Sequence, residues 1–149
     1  MKELYEQLSG RWLIQGTNFP MWLSEKRRNP SITYGLLATE PLTLSDLVEY
    51  HNAKGKRKHI KGVDTAIDSG RSFKWRGEGV LALLSSRWDI VTIKGNILII
   101  RFEKSLVTPA GIDVLVREGT MVCDLKLELR ESLESYGLSI EEFRSLSWL

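Results

Sequence analysis

From Arg11 to Gly119 the chain passes through about eight short stretches in which apolar and polar side chains alternate; beyond Gly119 the apolar positions recur at spacings of three and four. Alternation puts every second side chain on one face of an extended strand. Strands are therefore predicted at 11–16, 31–39, 44–52, 59–67, 72–78, 85–93, 97–103 and 112–118. The first continues through Phe19-Pro20-Met21-Trp22, with Pro20 marking an edge or bend. The pattern is clearest at 72–78, where Phe73, Trp75 and Gly77 share one face and Lys74, Arg76 and Glu78 the other. Leu44-Ser45-Asp46-Leu47-Val48 also reads as the start of a helix. Turn formers separate the runs: a charged loop over 25–30, Pro41, the basic hairpin Lys54-Gly55-Lys56-Arg57-Lys58, Asp68-Ser69-Gly70, Lys94-Gly95-Asn96 and Pro109-Ala110-Gly111.

Helices are predicted at both ends. Leu4, Tyr5 and Leu8 form the apolar side of a short turn that stops near Ser9-Gly10 and is placed to close one end of a barrel. Val122, Leu125, Leu129, Leu133 and Tyr136 line a longer helix that Gly137 ends. Ser139 and Glu142 then form a capping box for a last helix with Ile140, Phe143 and Leu146 on its apolar side. Consecutive strands joined by short turns predict a mainly β fold, an eight-stranded antiparallel up-and-down barrel with one short N-terminal helix and two C-terminal ones. A barrel of that size is just wide enough to hold one small molecule.

A length of 149 residues, 42% of them hydrophobic, predicts a single domain spanning 1–149, with the barrel at about 10–119 and the helical segment at about 122–147. The 21 basic and 19 acidic side chains leave a net charge of +2, too balanced for a nucleic-acid partner or an anionic membrane surface. No run of about 18 apolar residues suggests membrane insertion, and charges occupy the N-terminal positions where a signal peptide needs its apolar stretch, so a cytoplasmic location is expected. Cys123, the one cysteine, excludes an intramolecular disulfide and a thiolate cluster within one chain, and reads as a small buried hydrophobe.

Trp12, Phe73, Trp75, Trp88 and Phe102 all fall on predicted strands and are the candidates for a cavity wall. Any one of these rings is a core residue by default; the set outlines a lining. Asp64, Arg76, Arg101 and Arg117 also fall on strands, where an inward charge needs a partner or a polar ligand group. Arg101 stands out because it follows the apolar run Ile97-Leu98-Ile99-Ile100. His51 and His59 flank the basic loop without the carboxylate spacing of a metal site, and they read as exposed; no metal and no cofactor are expected. Ser85-Ser86 lacks a nucleophile elbow, and Gly77-Glu78-Gly79 lacks the third glycine of a dinucleotide loop, so catalysis has no positive signature. The basic cluster over 54–61 reads as a solvated hairpin guarding a barrel edge. Over 125–146 the two helices outline a helix-turn-helix, but Glu128, Glu131, Glu134, Glu141 and Glu142 oppose a phosphate backbone, and packing on the barrel is the better reading.

Gly10-Arg11-Trp12 at the first strand, together with Arg117 at the end of the eighth, resembles the lipocalin-like, or calycin, barrels. The resemblance covers about residues 10–118 and implies that Trp12 packs at the closed barrel end beside Arg117. The family's Thr-Asp-Tyr-like motif is not evident, and the chain closes in helices without a further strand. The segments 16–22 and 102–111 look like those of a bacterial branch of such proteins. The resemblance implies reversible binding of a small, mostly apolar or amphipathic molecule. On that reading Phe73, Trp75, Trp88 and Phe102 line the cavity and Arg101 or Asp64 orients the ligand's polar end. Two other readings stay open. One is an enzyme on the same barrel, with Asp64 or Glu103 as general base beside Arg101. The other is an interaction module whose C-terminal helices dock a partner or a second copy, forming a homodimer, through residues such as Trp148 and Leu149.

Overall fold

The computed structural model describes residues 2–67, 71–105 and 109–149. A short helix α1 (Lys2–Leu8) leads into eight strands: β1 (Gly10–Thr17), β2 (Arg28–Thr39), β3 (Leu42–His51), β4 (Arg57–Ile67), β5 (Ser72–Gly77), β6 (Ser85–Lys94), β7 (Ile97–Phe102) and β8 (Gly111–Arg117). Helices α2 (Leu125–Glu131) and α3 (Ile140–Ser145) follow, and a two-residue strand β9 (Ser147–Trp148) ends the order. Each strand pairs antiparallel with the next, and β1 closes the ring by pairing with β2 on one side (Trp12↔Ile32) and β8 on the other (Trp12↔Arg117). The result is the closed up-and-down barrel that the alternation predicts, with the helices where the longer period predicts them. The turn signal Asp68-Ser69-Gly70 lies outside the described residues, as do Leu106, Val107 and Thr108.

Several local expectations change. The first strand stops at Thr17 because Pro20, which has no N–H to donate, opens a 3₁₀ turn (Pro20–Trp22) instead of extending the ladder. The stretch 44–48 is strand, its partners being Leu36 on β2 for Leu44 and Ile60 on β4 for Val48. The predicted helix over 122–136 is helical only at Leu125–Glu131, capped by Asp124 at its start; Ser132 leaves the helical region, and a series of turns then carries Tyr136 and Leu138 onto the sheet. The capping box at α3 forms, with Ser139 and Glu142 each accepting from the other's backbone N–H. After α3 the chain does add a strand, β9, against Gly16 and Thr17 of β1. Cys123 is exposed in the turn before α2, and a buried role for it is wrong. His59 is exposed as expected, but His51 is half-buried.

Two apolar layers share the barrel wall. Trp12, Ile14, Tyr34, Leu44, Phe73, Trp88, Leu98, Ile100 and Leu115 point inward. Ile97, Ile99, Ile112 and Val114 point outward and are covered by Leu129, Tyr136, Leu138, Phe143 and Leu146 from the C-terminal segment. This explains the unbroken apolar run at 97–100: β7 is buried on both faces, so its sequence cannot alternate. Gly10 joins α1 to β1 at φ +108°, a conformation that strongly favours glycine. Arg117 then stacks over the Trp12 ring at 4.2 Å and donates to the carbonyls of Ser9 at 2.6 Å and Gln7, while Trp12 Nε1 donates to Leu8 at 2.8 Å. The two side chains thereby satisfy the last carbonyls of α1 and hold the helix across the closed end.

Candidate functional site

At the opposite end of the barrel lie the β1–β2 loop, the β3–β4 hairpin, the 3₁₀ turn Gly79–Leu81 and the β7–β8 connection. The β1–β2 loop folds over this mouth: Phe19 meets Phe102 edge-on at 5.5 Å, and Trp22 meets Tyr50 at 5.9 Å. Met21, Tyr50, Trp75 and Phe102 are half-buried members of the inner cluster here, whereas Phe73 and Trp88 are fully buried. Deeper in, Trp88 is sandwiched between Tyr34 at 5.7 Å and Phe73 at 4.6 Å, so the broad faces of these rings contact one another. Of the rings named from sequence, Phe73 and Trp88 pack the barrel centre, Trp75 and Phe102 border its mouth, and Trp12 seals its base.

The interior also contains carboxyls. Cross-strand partners share a face, and the pairs Tyr34↔Asp46, Leu44↔Asp64 and Ile100↔Asp113 place three aspartates inside. Asp64 is fully buried, Asp113 2% exposed and Asp46 6% exposed. Among the described residues no cationic side chain pairs with any of them. Burial pushes all three carboxyls up, Asp113 to about 7 against the hydrogen bond that the Thr17 hydroxyl donates at 2.7 Å. For Asp64 the neighbouring Asp46 charge adds to burial, while Trp88 Nε1, donating at 2.9 Å, opposes both. One proton between Asp46 and Asp64 lets one carboxyl donate to the other, whereas two carboxylates have no donor to share. Tyr34 lies opposite Asp46, and its hydroxyl is held well above its usual range by burial and then by the charge of Asp46, Asp64 and Asp113. Tyr34 Oη, Asp46 Oδ1 and Asp64 Oδ2 are buried without a hydrogen-bonding partner in the protein.

Arg101 is not part of this cluster. Strand neighbours face opposite sides, and with Phe102 inside, Arg101 points out to Glu142 of α3, at 2.6 Å. It does not orient a ligand in the barrel, and Asp64 and Arg101 form no acid–base pair. Glu103 is exposed at the end of β7 beside Arg87, at 3.5 Å, and Arg76 reaches outward to the Ala82 carbonyl at 3.2 Å. Asp46, Tyr34 and Asp113 were not singled out from the sequence. Asp46 sits midway between two inward apolar residues of β3, Leu44 and Val48, and that spacing would have revealed it once the segment was read as strand. Outside the barrel, Trp22, Arg27, Arg28 and Trp148 help to line an open groove of about 330 Å³, bordered by charge and separate from the buried aspartates. Trp148 packs against Phe143 at 6.1 Å and Leu149 stays half-exposed, while the helices direct most of their apolar side chains onto β7 and β8.

This geometry, a closed eight-stranded barrel with a helix and an arginine–tryptophan stack at one end and an aromatic mouth at the other, is a lipocalin-like fold. Among solved structures the chain is similar to lobster apocrustacyanin A1, with a TM-score of 0.67 at 6% identity over 99% of this chain and 79% of that one. It is similar to the siderocalin Ex-FABP, described as functioning through dual ligand specificities, with a TM-score of 0.62 at 11% identity over 96% and 93% of the two chains. The major cockroach allergen Per a 4 gives a TM-score of 0.62 at 14% identity over 92% and 83%. No family model and no curated protein matches the sequence. No helix among the described residues is long and apolar enough to cross a membrane.

Proposed function

We propose that the barrel reversibly binds a small, mostly apolar or amphipathic molecule at its open end, in the cytoplasm, and that the chain is a bacterial form of this fold. The observation that carries the binding reading is the ring of half-buried inner-face side chains at the mouth, Met21, Tyr50, Trp75 and Phe102, placed above buried polar atoms that lack partners. Apolar walls with a few convergent polar groups are the usual make-up of a small-molecule site. Val80 and Leu83, at 98% and 94% exposed on the neighbouring β5–β6 connection, give an apolar molecule a surface to approach. Support also comes from the solved neighbours, one of which is described as acting through ligand specificities. Asp64 and Asp46 meet the ligand's polar end in this proposal.

Native mass spectrometry of freshly purified protein tests the proposal directly, because a carried-over molecule adds mass to the folded chain. A thermal-shift and tryptophan-fluorescence screen with fatty acids, aromatic acids, isoprenoids and aromatic amines complements it. A bound species or a saturable shift is expected, and it should weaken when Trp75 is replaced by alanine. No carried-over mass and no response to any class would overturn the reading.

A further inference from the structure

We propose that the molecule this barrel takes carries a protonated amine, held between Asp46 and Asp64 with the Tyr34 hydroxyl as a third partner. The inference rests on the ligand-binding reading above and adds the chemical class. It starts from an imbalance: three aspartates enter the barrel from β3, β4 and β8, and among the described residues no cation pairs with them. Arg117, the nearest inward arginine in sequence to Asp113, is engaged at the closed end with Trp12 and the carbonyls of α1.

The second observation is Tyr34. Its side chain is 2% exposed and stacked on Trp88, it lies directly opposite Asp46 in the β2–β3 ladder, and its hydroxyl has no partner. Together with Asp46 Oδ1 and Asp64 Oδ2 that makes three oxygens able to accept, to which no other side chain donates apart from the proton that the two aspartates share. An alkylammonium group brings three N–H donors and a positive charge; a hydroxyl brings one donor and no charge; a carboxylate brings like charge. The ammonium therefore fits on both counts. A metal ion fits poorly, because among the described residues no group of three or more metal-ligating side chains comes together.

Trp75 stands on the side of the mouth. It pairs with Asp64 across the β4–β5 ladder, and its indole lies over Gly62, the residue opposite Asp46, so closely that a Cβ at Gly62 would collide with it. A molecule coming from the open end thus passes a half-buried indole immediately before it reaches the two carboxyls.

Three probes of matched size separate the possibilities: 2-phenylethylamine, 2-phenylethanol and 3-phenylpropanoate, titrated calorimetrically into the full-length protein near neutral pH. The amine should bind about tenfold or more tightly than the alcohol, the range expected for hydrogen bonds to a charged group, and the carboxylate most weakly. Asp46→Asn and Asp64→Asn should each abolish that preference. The amide introduced by Asp64→Asn keeps an oxygen for Trp88 to donate to, and should either variant fail to fold, Tyr34→Phe, which removes only the unpartnered hydroxyl, should still weaken the amine more than the alcohol. Equal or better binding of the alcohol, or a preference that survives all variants that fold, overturns the amine assignment. Binding of fatty acids, aromatic acids or isoprenoids without binding of the amine overturns it too, while leaving the binding reading in place; silence from every compound removes both.

Discussion

Replacing Asp113 by asparagine isolates the energetics of one buried carboxyl. In the barrel Asp113 is 2% exposed, and burial pushes its carboxyl up from an ordinary 3.8 to about 7, opposed by the hydrogen bond from Thr17. A group with a raised folded pKa holds its proton more tightly in the folded chain, so its contribution to stability is complete below its unfolded value and is lost as the pH rises through the folded one. The window runs from about pH 4 to about pH 7. A separation of about 3 units, at about 1.4 kcal/mol each, puts the stability lost across it at about 4 kcal/mol. The asparagine side chain of Asp113→Asn cannot ionise, and its Oδ1 still accepts from Thr17. Urea unfolding followed by tryptophan fluorescence, run on both proteins from pH 4 to pH 8, should show the wild type falling relative to the variant by up to that amount. Asp46 and Asp64 shift in the same direction and tilt both curves, so the difference between the curves reports Asp113 alone. Parallel curves would refute the reasoning, because they would mean that the carboxyl ionises as freely in the barrel as in the unfolded chain.

Arg117→Ala removes a stack on Trp12 and two hydrogen bonds to the end of α1, and should cost about 2–3 kcal/mol in the same unfolding assay, with protease sensitivity appearing first at the N-terminal helix. Arg101→Ala breaks only a partly exposed pair with Glu142, so a loss below about 1 kcal/mol and unchanged small-molecule binding are expected; altered binding would put Arg101 back in the ligand's path.

The barrel was legible because its strands bury one face and expose the other, most plainly at Phe73-Lys74-Trp75-Arg76-Gly77. Where both faces are covered the signal disappears. Along Ile97-Leu98-Ile99-Ile100 every position is apolar, the outer set lying under α2, α3 and the turn between them, so sequence alone could not assign sides to Arg101 and Phe102. Placing both in one cavity nevertheless conflicted with strand geometry, since adjacent residues of an unbulged strand face opposite ways. The half of the site that was missed has a different origin. Asp46 lay in a stretch that also fitted a helix, and Tyr34 and Asp113 sit beside apolar neighbours without any motif. Tyr34, Asp46 and Asp64 are neighbours through the consecutive β2–β3 and β3–β4 ladders, whereas Asp113 on β8 shares their barrel interior only through the ring closure of β1 onto β2 and β8, a contact between the two ends of the chain that no local window contains.

Packing gives no reason for that convergence. Leu44 and Val48 flank Asp46 on the inner face of β3, and Leu115 follows Asp113 on the inner face of β8, so each strand accommodates an apolar side chain two residues from its aspartate. An interior built for stability alone would continue the series, because a buried carboxyl without a counter-ion must hold a proton or bear the loss of its hydration. One misplaced acid on one strand would be an isolated local exception. Three aspartates on the inner faces of three strands, two of them coupled to each other beside an unpartnered tyrosine hydroxyl, are more than one local exception, and the proposed binding role accounts for them where core packing does not.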